Sequence, residues 1–541
     1  MADMVDREDN LAARVLAAAA GGRGDAIAVR EGDRAWTYAE LGTQVGRVAA
    51  VLGEVGLARG ERVAILMRDT LEAAAVVLGV IHAGLVAVPL SELLRADGLS
   101  RHLAHAGAVA IAVDGELAPA IELVRGELPD LRLVLGVGLA VVDPAGDAAA
   151  AGTIDLGGRA RAARPVAAVA VAPGDDCLVL YSAGTDDELR GVRHSHASAW
   201  AAQTSSAEHL GLGAGDRVLA INRLSMAFGL GAGLLFPLAR GAETLLVPSQ
   251  PHSDVVLAAI AGFGPDLFLT TPSVLSQLAH DVAARGLAPP LAGVRRVIAG
   301  GEGMPEALVA RIRTTLGAEA EVGYGLTEIL QLALACVITD DDRAGCCGRP
   351  LPGVLARVVD DAGAPLPVDE IGTLQLRTAA CCVGVVDADG IDAAVVDADG
   401  WLVTRDRFLV DGRGLYHHCG RADELFKVGG KWVSPAEVER ALTSHEAVWE
   451  AAVIGAPDED GLTKPLAFVV VNVGYVGNPA LEAELRQYVK DALAPYKYPR
   501  WIDFVPALPK GPGGKVLRYK LRPVRRPRPA ETGAPEPGAA E

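Results

Sequence analysis

The stretch "LVLYSAGTDDELRGVRHSH", Leu178 to His196, decides how this chain is read. It begins as an apolar β-strand and breaks at Ser182-Ala183-Gly184-Thr185 into a loop with hydroxyls and a permissive glycine. Such a backbone can aim its amides at phosphate oxygens. Three acids, Asp186, Asp187 and Glu188, follow where a phosphate-cradling loop would want glycine and hydroxyl, and Arg190 and Gly191 close the loop. Strands that end in glycine turns are common, so the reading depends on what surrounds this one. On either side, short β-rich runs alternate with alanine-rich amphipathic stretches: "RVAILM" at 62 to 67, "LVAVPL" at 85 to 90, "ETLLVP" at 243 to 248, "LFLTTP" at 267 to 272 and "RRVIAG" at 295 to 300. That rhythm predicts an α/β fold of parallel sheets flanked by helices.

The whole chain has 541 residues, half of them hydrophobic, which calls for one large core and at least one smaller unit. We expect a large N-terminal domain over 10–421, a small α+β domain over 424–522, and a disordered proline-rich tail over 523–541. The net charge of -18 argues against nonspecific affinity for nucleic acid or anionic membrane. An anionic ligand must therefore find a locally basic or amide-rich site. Seven cysteines, including the pairs Cys346-Cys347 and Cys381-Cys382, do not have the spacing of a disulfide framework or a zinc site. They read as reduced residues of a cytoplasmic protein. The N-terminus opens on acids, unlike a signal peptide. The apolar run Ala73 to Leu90 contains His82, two glycines and Pro89, and reads as a buried helix running into a strand rather than a membrane span. "VVDADG" occurs at 385 to 390 and at 395 to 400; without a bidentate glutamate at calcium-loop spacing, it reads as Asp-Gly turns.

Three further segments carry chemistry. "GYGLTE", Gly323 to Glu328, offers an aromatic for a base, a hydroxyl for a phosphate and a carboxylate for magnesium. "GRADELFKVGGKWVSPAEVE", Gly420 to Glu439, is too rich in charge and glycine for a mere connector, and "LPKGPGGKVLRYKLR", Leu508 to Arg522, presents Lys515 on a basic glycine loop. Their order and spacing over 10–522 resemble the adenylate-forming superfamily of acyl-CoA synthetases, nonribosomal adenylation domains and luciferases. "AFGLGAGLLFPLARGA" from Ala227, "KVGGKWVSPAEVE" from Lys427, "GAPDEDGLTKPLAFVV" from Gly455 and "LAPYKYPRWIDFV" from Leu493 make the benzoate-CoA ligase type the nearer resemblance.

The resemblance implies a large domain, with a β-barrel-like part, that binds ATP and a small carboxylic acid. It also implies a mobile C-terminal lid that swings between two poses. In the first, the carboxylate attacks the α-phosphate and expels pyrophosphate; in the second, coenzyme A attacks the acyl adenylate. By resemblance, Ser182, Gly184, Thr185, Arg190 and Gly191 form the phosphate loop, and Gly301 and Glu302 the adenine-side turn. Tyr324 and Gly325 lie at the base, with Tyr324 stacked on adenine. Thr327 touches the α-phosphate, Glu328 holds Mg2+, and Asp406 and Arg421 reach the ribose. Asp423 is the hinge, Lys515 the adenylation lysine, and Gly429, Gly430, Lys431 and Trp432 line the thiol tunnel. Ala227, Phe228, Gly229 and Gln331 are the acid-pocket candidates, the last where relatives often carry histidine. The pairs His194 with His196 and His417 with His418 lack a third ligand at metal spacing.

The chain departs from the family pattern in one direction. The family loop Ser-Ser-Gly-Thr-Thr-Gly-x-Pro-Lys-Gly is here Ser-Ala-Gly-Thr-Asp-Asp-Glu-Leu-Arg-Gly, Thr-Gly-Asp is Thr404-Arg405-Asp406, and Gly511 and Gly513 stand for hydroxyl residues. An aspartate about 4 Å from a phosphate charge costs about 4 kcal/mol at a surface-like effective dielectric. Mg2+, Arg190, Arg193 and Lys515 can offset this, leaving a looser clamp. Three outcomes stay open: transfer to coenzyme A, transfer to another acceptor such as an amine or carrier protein, or a non-catalytic descendant that only binds. A homodimer is likewise left open.

Overall fold

The structure, a computed structural model, describes residues 9–17, 22–138, 152–181, 189–304, 306–339, 345–386, 392–393, 395–421, 424–428, 431–458, 462–510 and 516–521. The described residues divide into two compact units, those up to 421 in the first and those from 424 onward in the second.

The first unit is built on two sheets. In one, Asp176–Tyr181, Val86–Pro89, Arg62–Leu66, Ala110–Asp114, Leu133–Val137 and Thr153–Asp155 lie side by side in parallel. Gly191–Ser195 and Gly384–Val386 extend its other edge antiparallel. In the second, Ile27–Glu31, Glu243–Leu246, Arg217–Ala220, Leu267–Thr270, Arg296–Gly300 and Ala320–Leu326 pair in parallel. An antiparallel run then continues through Gln331–Val337, Cys346–Pro350, Tyr416–Arg421, Leu402–Val410, Gly372–Arg377 and Leu355–Val359. This run is the part expected to be barrel-like, and it is hydrogen-bonded directly onto the parallel strands. Each β-rich run named from the sequence is a strand.

Near-continuous apolar strands are what a sheet covered on both faces requires. Val218, Leu267 and Leu269 enter the largest core together with Val63, Ile65 and Ala87 of the other sheet, whereas Leu219 and Phe268, one residue along, enter a separate core. Ala64, Leu66, Val86 and Val88 likewise face a third core. The period-two alternation thus sends successive side chains to opposite faces, with a shared core serving both sheets. Leu71–His82 lies in that shared core, buried at every residue except Glu72, which pairs with Arg34. Gly84 then turns the chain at φ 71° into Val86–Pro89, so the apolar run is a buried helix followed by a strand. No helix among the described residues is long and apolar enough to cross a membrane.

The second unit has a three-stranded sheet, with Val448–Pro457 antiparallel to Thr463–Val471 and Trp501–Phe504 parallel to it. The helices Pro435–Thr443 and Pro479–Ala492 contribute Val438, Leu442, Leu485 and Val489 to a core with Val453, Ala467 and Ile502. Both helices begin on a side-chain cap, Ser434 and Asn478, followed by proline.

Candidate active site

Tyr324 arrives at the end of strand Ala320–Leu326. The chain then reverses through the short 3-10 turn Thr327–Ile329 and Leu330, whose φ of 52° is left-handed, and returns as Gln331–Val337. Gly325 is required inside this reversal, because a Cβ there would sit 2.5 Å from the Gln331 carbonyl oxygen. The turn holding Thr327 and Glu328 is pinned from two directions. The Cys382 amide donates to the Glu328 carbonyl at 2.7 Å, and His194 Nε2 donates to the Thr327 carbonyl at 2.8 Å.

His194 lies on the strand that follows the acidic loop, with its Nδ1 3.3 Å from Ser198 Oγ. Complete burial pushes its pKa down from 6.5 to about 4, only partly opposed by the Thr327 bond. It is therefore a neutral strut, a role its sequence pairing with His196 did not reveal. Because the depressed value belongs to the folded state, unfolding takes up a proton below the ordinary histidine value. The stability contribution is complete above pH 6.5 and is lost as pH falls toward 4. Between pH 7.5 and pH 5 the wild type should lose about 2 kcal/mol more than His194→Gln, read from urea midpoints at the two pH values.

A second cluster forms where Leu402–Val410 meets Tyr416–Arg421. Asp406 and Arg421, the two candidate ribose residues, are direct cross-strand partners. Tyr324 donates its hydroxyl to Asp406 Oδ2 at 2.7 Å, and His418 Nε2 lies 3.4 Å from Oδ1. Burial opposes charge on Asp406, but His418, Tyr324 and Arg421 together hold its carboxyl below the usual value. Burial and the Asp406 charge drive the Tyr324 phenol strongly upward, so it stays a neutral donor. Phe408 packs edge-on to the Tyr324 ring at 4.9 Å. An ionised carboxylate has about four lone-pair positions, so Asp406 retains acceptor capacity for a diol.

The ends of the acidic loop are fixed by pairing of Tyr181 with Gly191, and Tyr181 Oη is 2.8 Å from His105 Nδ1. Arg190 reaches to 3.8 Å from Glu328 Oε1. Burial, Arg405 and Arg421 lower the Arg190 pKa while Glu328 supports its charge. Arg190, Arg405, Arg421 and Glu328 therefore share one electrostatic neighbourhood. Arg405, the departure from Thr-Gly-Asp, adds positive charge there. Ser182, Gly184 and Thr185, the acids Asp186, Asp187 and Glu188, and the residues Asp423, Gly429, Gly430 and Lys515 lie outside the described residues.

Gly301 follows strand Arg296–Gly300 at φ 88°, and Glu302 accepts from the amide and hydroxyl of Ser273. Phe228, on the short helix Ala227–Leu230, brings Cε1 to within 3.6 Å of the point where a Gly300 Cβ would lie. The acid-pocket candidates Ala227 and Phe228 and the adenine candidate Tyr324 all pack against the shared core. Gln331 is buried, with Oε1 3.4 Å from Ser206 Oγ and Nε2 3.5 Å from Thr378 Oγ1. Lys431 and Trp432 lie on Lys431–Val433 of the second unit, where the Lys431 ammonium is 5.1 Å from the centre of the Tyr496 ring. No group of three or more metal-binding side chains occurs among the described residues.

Residues 16–384 match the AMP-binding enzyme family and 437–515 its C-terminal domain. The chain is 35% identical to a benzoate–CoA ligase of Thauera aromatica over 519 residues, 95% of each chain. A solved anthranilate–CoA ligase in complex with anthranoyl-AMP superposes with a TM-score of 0.84 at 30% identity, covering 94% of this chain and 96% of that one. An amide bond synthetase of Marinactinospora thermotolerans superposes at 0.80 with 28% identity, covering 95% and 98%. The clustering of Tyr324, Asp406 and Arg421, and of Arg190 with Glu328, thus occurs in a chain that belongs to the AMP-binding enzyme family, within the adenylate-forming superfamily.

Proposed function

We propose that this protein activates an aromatic carboxylic acid with ATP and transfers the acyl group to coenzyme A. In the first half-reaction a carboxylate oxygen bonds to the α-phosphorus and the bond to the β-phosphate bridge breaks, so pyrophosphate leaves. In the second, the thiol sulfur bonds to the acyl carbon, AMP leaves, and the thiol proton goes to solvent. The observation that carries this reading is the joined set of Tyr324, Asp406 and Arg421 beside Arg190 and Glu328. It sits in a chain related end to end to a benzoate–CoA ligase.

Asp406 and Arg421 bind the ribose, Tyr324 flanks the base, and Thr327 donates to the α-phosphate. Arg190 steadies the outer phosphates. Glu328 suits a hard divalent cation: it offers carboxylate oxygens, and at 3.8 Å from Arg190 it is not consumed by a short ion pair. Mg2+ held there supplies positive charge against the triphosphate. The hydrocarbon side of the acid meets Ala227, Phe228 and Gly229. The C-terminal lid, hinged at Asp423, carries Lys515 in for the first step and removes it for the second, when Gly429, Gly430, Lys431 and Trp432 border the thiol. None of the seven cysteines is in a disulfide, which suits a cytoplasmic protein.

A pyrophosphate-release screen over aryl and short acyl acids tests the first half-reaction. Release with an aryl acid well above a Lys515→Ala control is expected; no release on any acid overturns it. Coenzyme A should be consumed mole for mole with pyrophosphate. Adenylate that forms and is left untouched by coenzyme A would move the reading to an amine or carrier-protein acceptor, which the likeness to an amide bond synthetase keeps in view. Absence of ATP binding at millimolar nucleotide would instead favour a non-catalytic binding protein.

A further inference from the structure

We infer that Asp69, Arg223 and Glu92 act as positioning residues that fix the acid-pocket loop, so that they govern affinity for the carboxylic acid rather than for ATP. The inference rests on the function proposed above and adds residues that no motif marked.

Arg223 lies on the segment between strand Arg217–Ala220 and helix Ala227–Leu230. Its guanidinium gathers an unusual number of partners. Nη1 donates to the carbonyls of Val247 at 2.8 Å and Pro248 at 3.3 Å, and Nη2 to Ser249 at 3.0 Å. Two carboxylates complete the set, Glu92 at 3.0 Å and Asp69 at 3.5 Å. Asp69 Oδ1 also accepts from the Leu224 amide at 3.1 Å, so the carboxylate grips the loop backbone as well as the arginine. Gln250 Nε2 donates to Glu92 at 2.8 Å.

The partners sit past the C-terminal ends of four parallel strands. Asp69 follows Arg62–Leu66 and Glu92 follows Val86–Pro89 in one sheet; residues 247–250 follow Glu243–Leu246, and Arg223 follows Arg217–Ala220, in the other. Ligands of open α/β sheets bind in the crevice outside the carboxyl ends of strands. The network therefore ties both sheets together on the side where a substrate would enter.

The link to the pocket is steric. A Cβ at Gly229 would lie 2.0 Å from the Arg223 carbonyl oxygen and 2.4 Å from that of Asn222, so the backbone of the pocket helix rests directly on Arg223. A shift of Arg223 is passed to Gly229 and its neighbour Phe228, whereas Tyr324, Asp406 and Arg421 are held by other elements. Of the side chains, Arg223 is 16% exposed and Asp69 and Glu92 10% each, so solvent cannot replace the missing partner cheaply.

Burial raises the Asp69 carboxyl to about 6, opposed by Arg223 and the Leu224 amide, with Glu92 adding to the rise. Glu92 is itself raised by burial and faces Arg223, Arg68 and Asp114. Arg68 also pairs with Glu116 at 3.0 Å. Protonation of Asp69 removes one of the two carboxylate charges opposite Arg223, and the loop loosens.

Steady-state kinetics with benzoate as probe test this. Arg223→Met should raise the KM for benzoate at least about tenfold while the KM for ATP changes less than about twofold, with Arg223→Lys between. In the wild type the benzoate KM should rise as pH falls through about 6; Asp69→Asn, which keeps an acceptor for Leu224, should flatten that profile. If Arg223→Met does not fold, Arg223→Lys and Asp69→Asn carry the same comparison. Equal changes in both KM values, or an unchanged benzoate KM in folded variants, overturn the inference while leaving the function intact. A wild type inactive on every acid overturns the function, and the inference with it.

Discussion

Replacing Lys515 with alanine should lower adenylate formation about a hundred- to a thousandfold, while transfer of acyl from a supplied acyl adenylate to coenzyme A falls less than about threefold. The asymmetry follows from where charge develops. As the carboxylate adds to the α-phosphorus, negative charge builds on the non-bridging oxygens and on the departing pyrophosphate, and a preorganised ammonium stabilises that state more than the ground state. Removing one such donor is worth about 3–4 kcal/mol. The thiol step has a different developing charge, at the acyl oxygen and the AMP leaving group, and under the proposed alternation the lid would have carried Lys515 away from it. Pyrophosphate exchange measures the first half-reaction, and single-turnover thioester formation from benzoyl-AMP measures the second. Equal losses in both would mean that Lys515 supports the fold of its segment rather than the first transition state. No loss in either would remove the adenylation lysine from the mechanism.

The parallel sheets could be anticipated because apolar runs such as "LFLTTP" and "RRVIAG", alternating with helical stretches, suit strands of a sheet covered on both faces. The Gly-Tyr-Gly segment was equally legible, since Gly325 stands where the strand must fold back against Gln331 without a Cβ. The supports behind those motifs could not be read. His194, which holds Thr327, is separated from it by 133 positions, and His418, beside Asp406, looked identical to its neighbour His417 until strand alternation turned one toward Asp406 and the other toward Asp411. Arg223 appeared as one arginine among many because its five partners come from three separate loops. Arg405 was visible only as a departure from pattern; its proximity to Arg190 and Arg421 gives the departure an electrostatic meaning.

Replacing Arg518 with methionine should destabilise the second unit by about 3–5 kcal/mol, because it leaves two carboxylates without their counter-ion in a mostly buried place. Arg518 donates through Nε and Nη2 to Glu439 at 2.8 to 3.1 Å, and through Nη1 to Glu424 at 3.1 Å. The side chains of Arg518, Glu424 and Glu439 are 19%, 15% and 14% exposed. Burial opposes the arginine's charge, yet Glu439 and Glu424 outweigh it and raise its pKa, so the guanidinium is held ionised. Glu439 also accepts from the Val453 amide at 2.7 Å, which joins the arginine to the edge of the three-stranded sheet. The contact therefore closes the second unit on itself, uniting its first residue, its first long helix, its sheet and the segment three positions after Lys515. In the full-length protein, calorimetry should resolve an earlier transition for Arg518→Met, and proteolysis should cut first within 424–521. Arg518→Lys, which keeps the charge but not the two-pronged geometry, should lose less. The decisive variant is Arg518→Met combined with Glu439→Gln, which keeps an acceptor for the Val453 amide, and Glu424→Gln: removing the stranded charges should recover most of the lost stability, since the cost lies in unpaired buried charge rather than in the absence of an ion pair. A single variant that loses less than about 1 kcal/mol would show that these groups behave as surface charges. A triple variant no more stable than the single one would locate the loss in packing around the arginine stem instead.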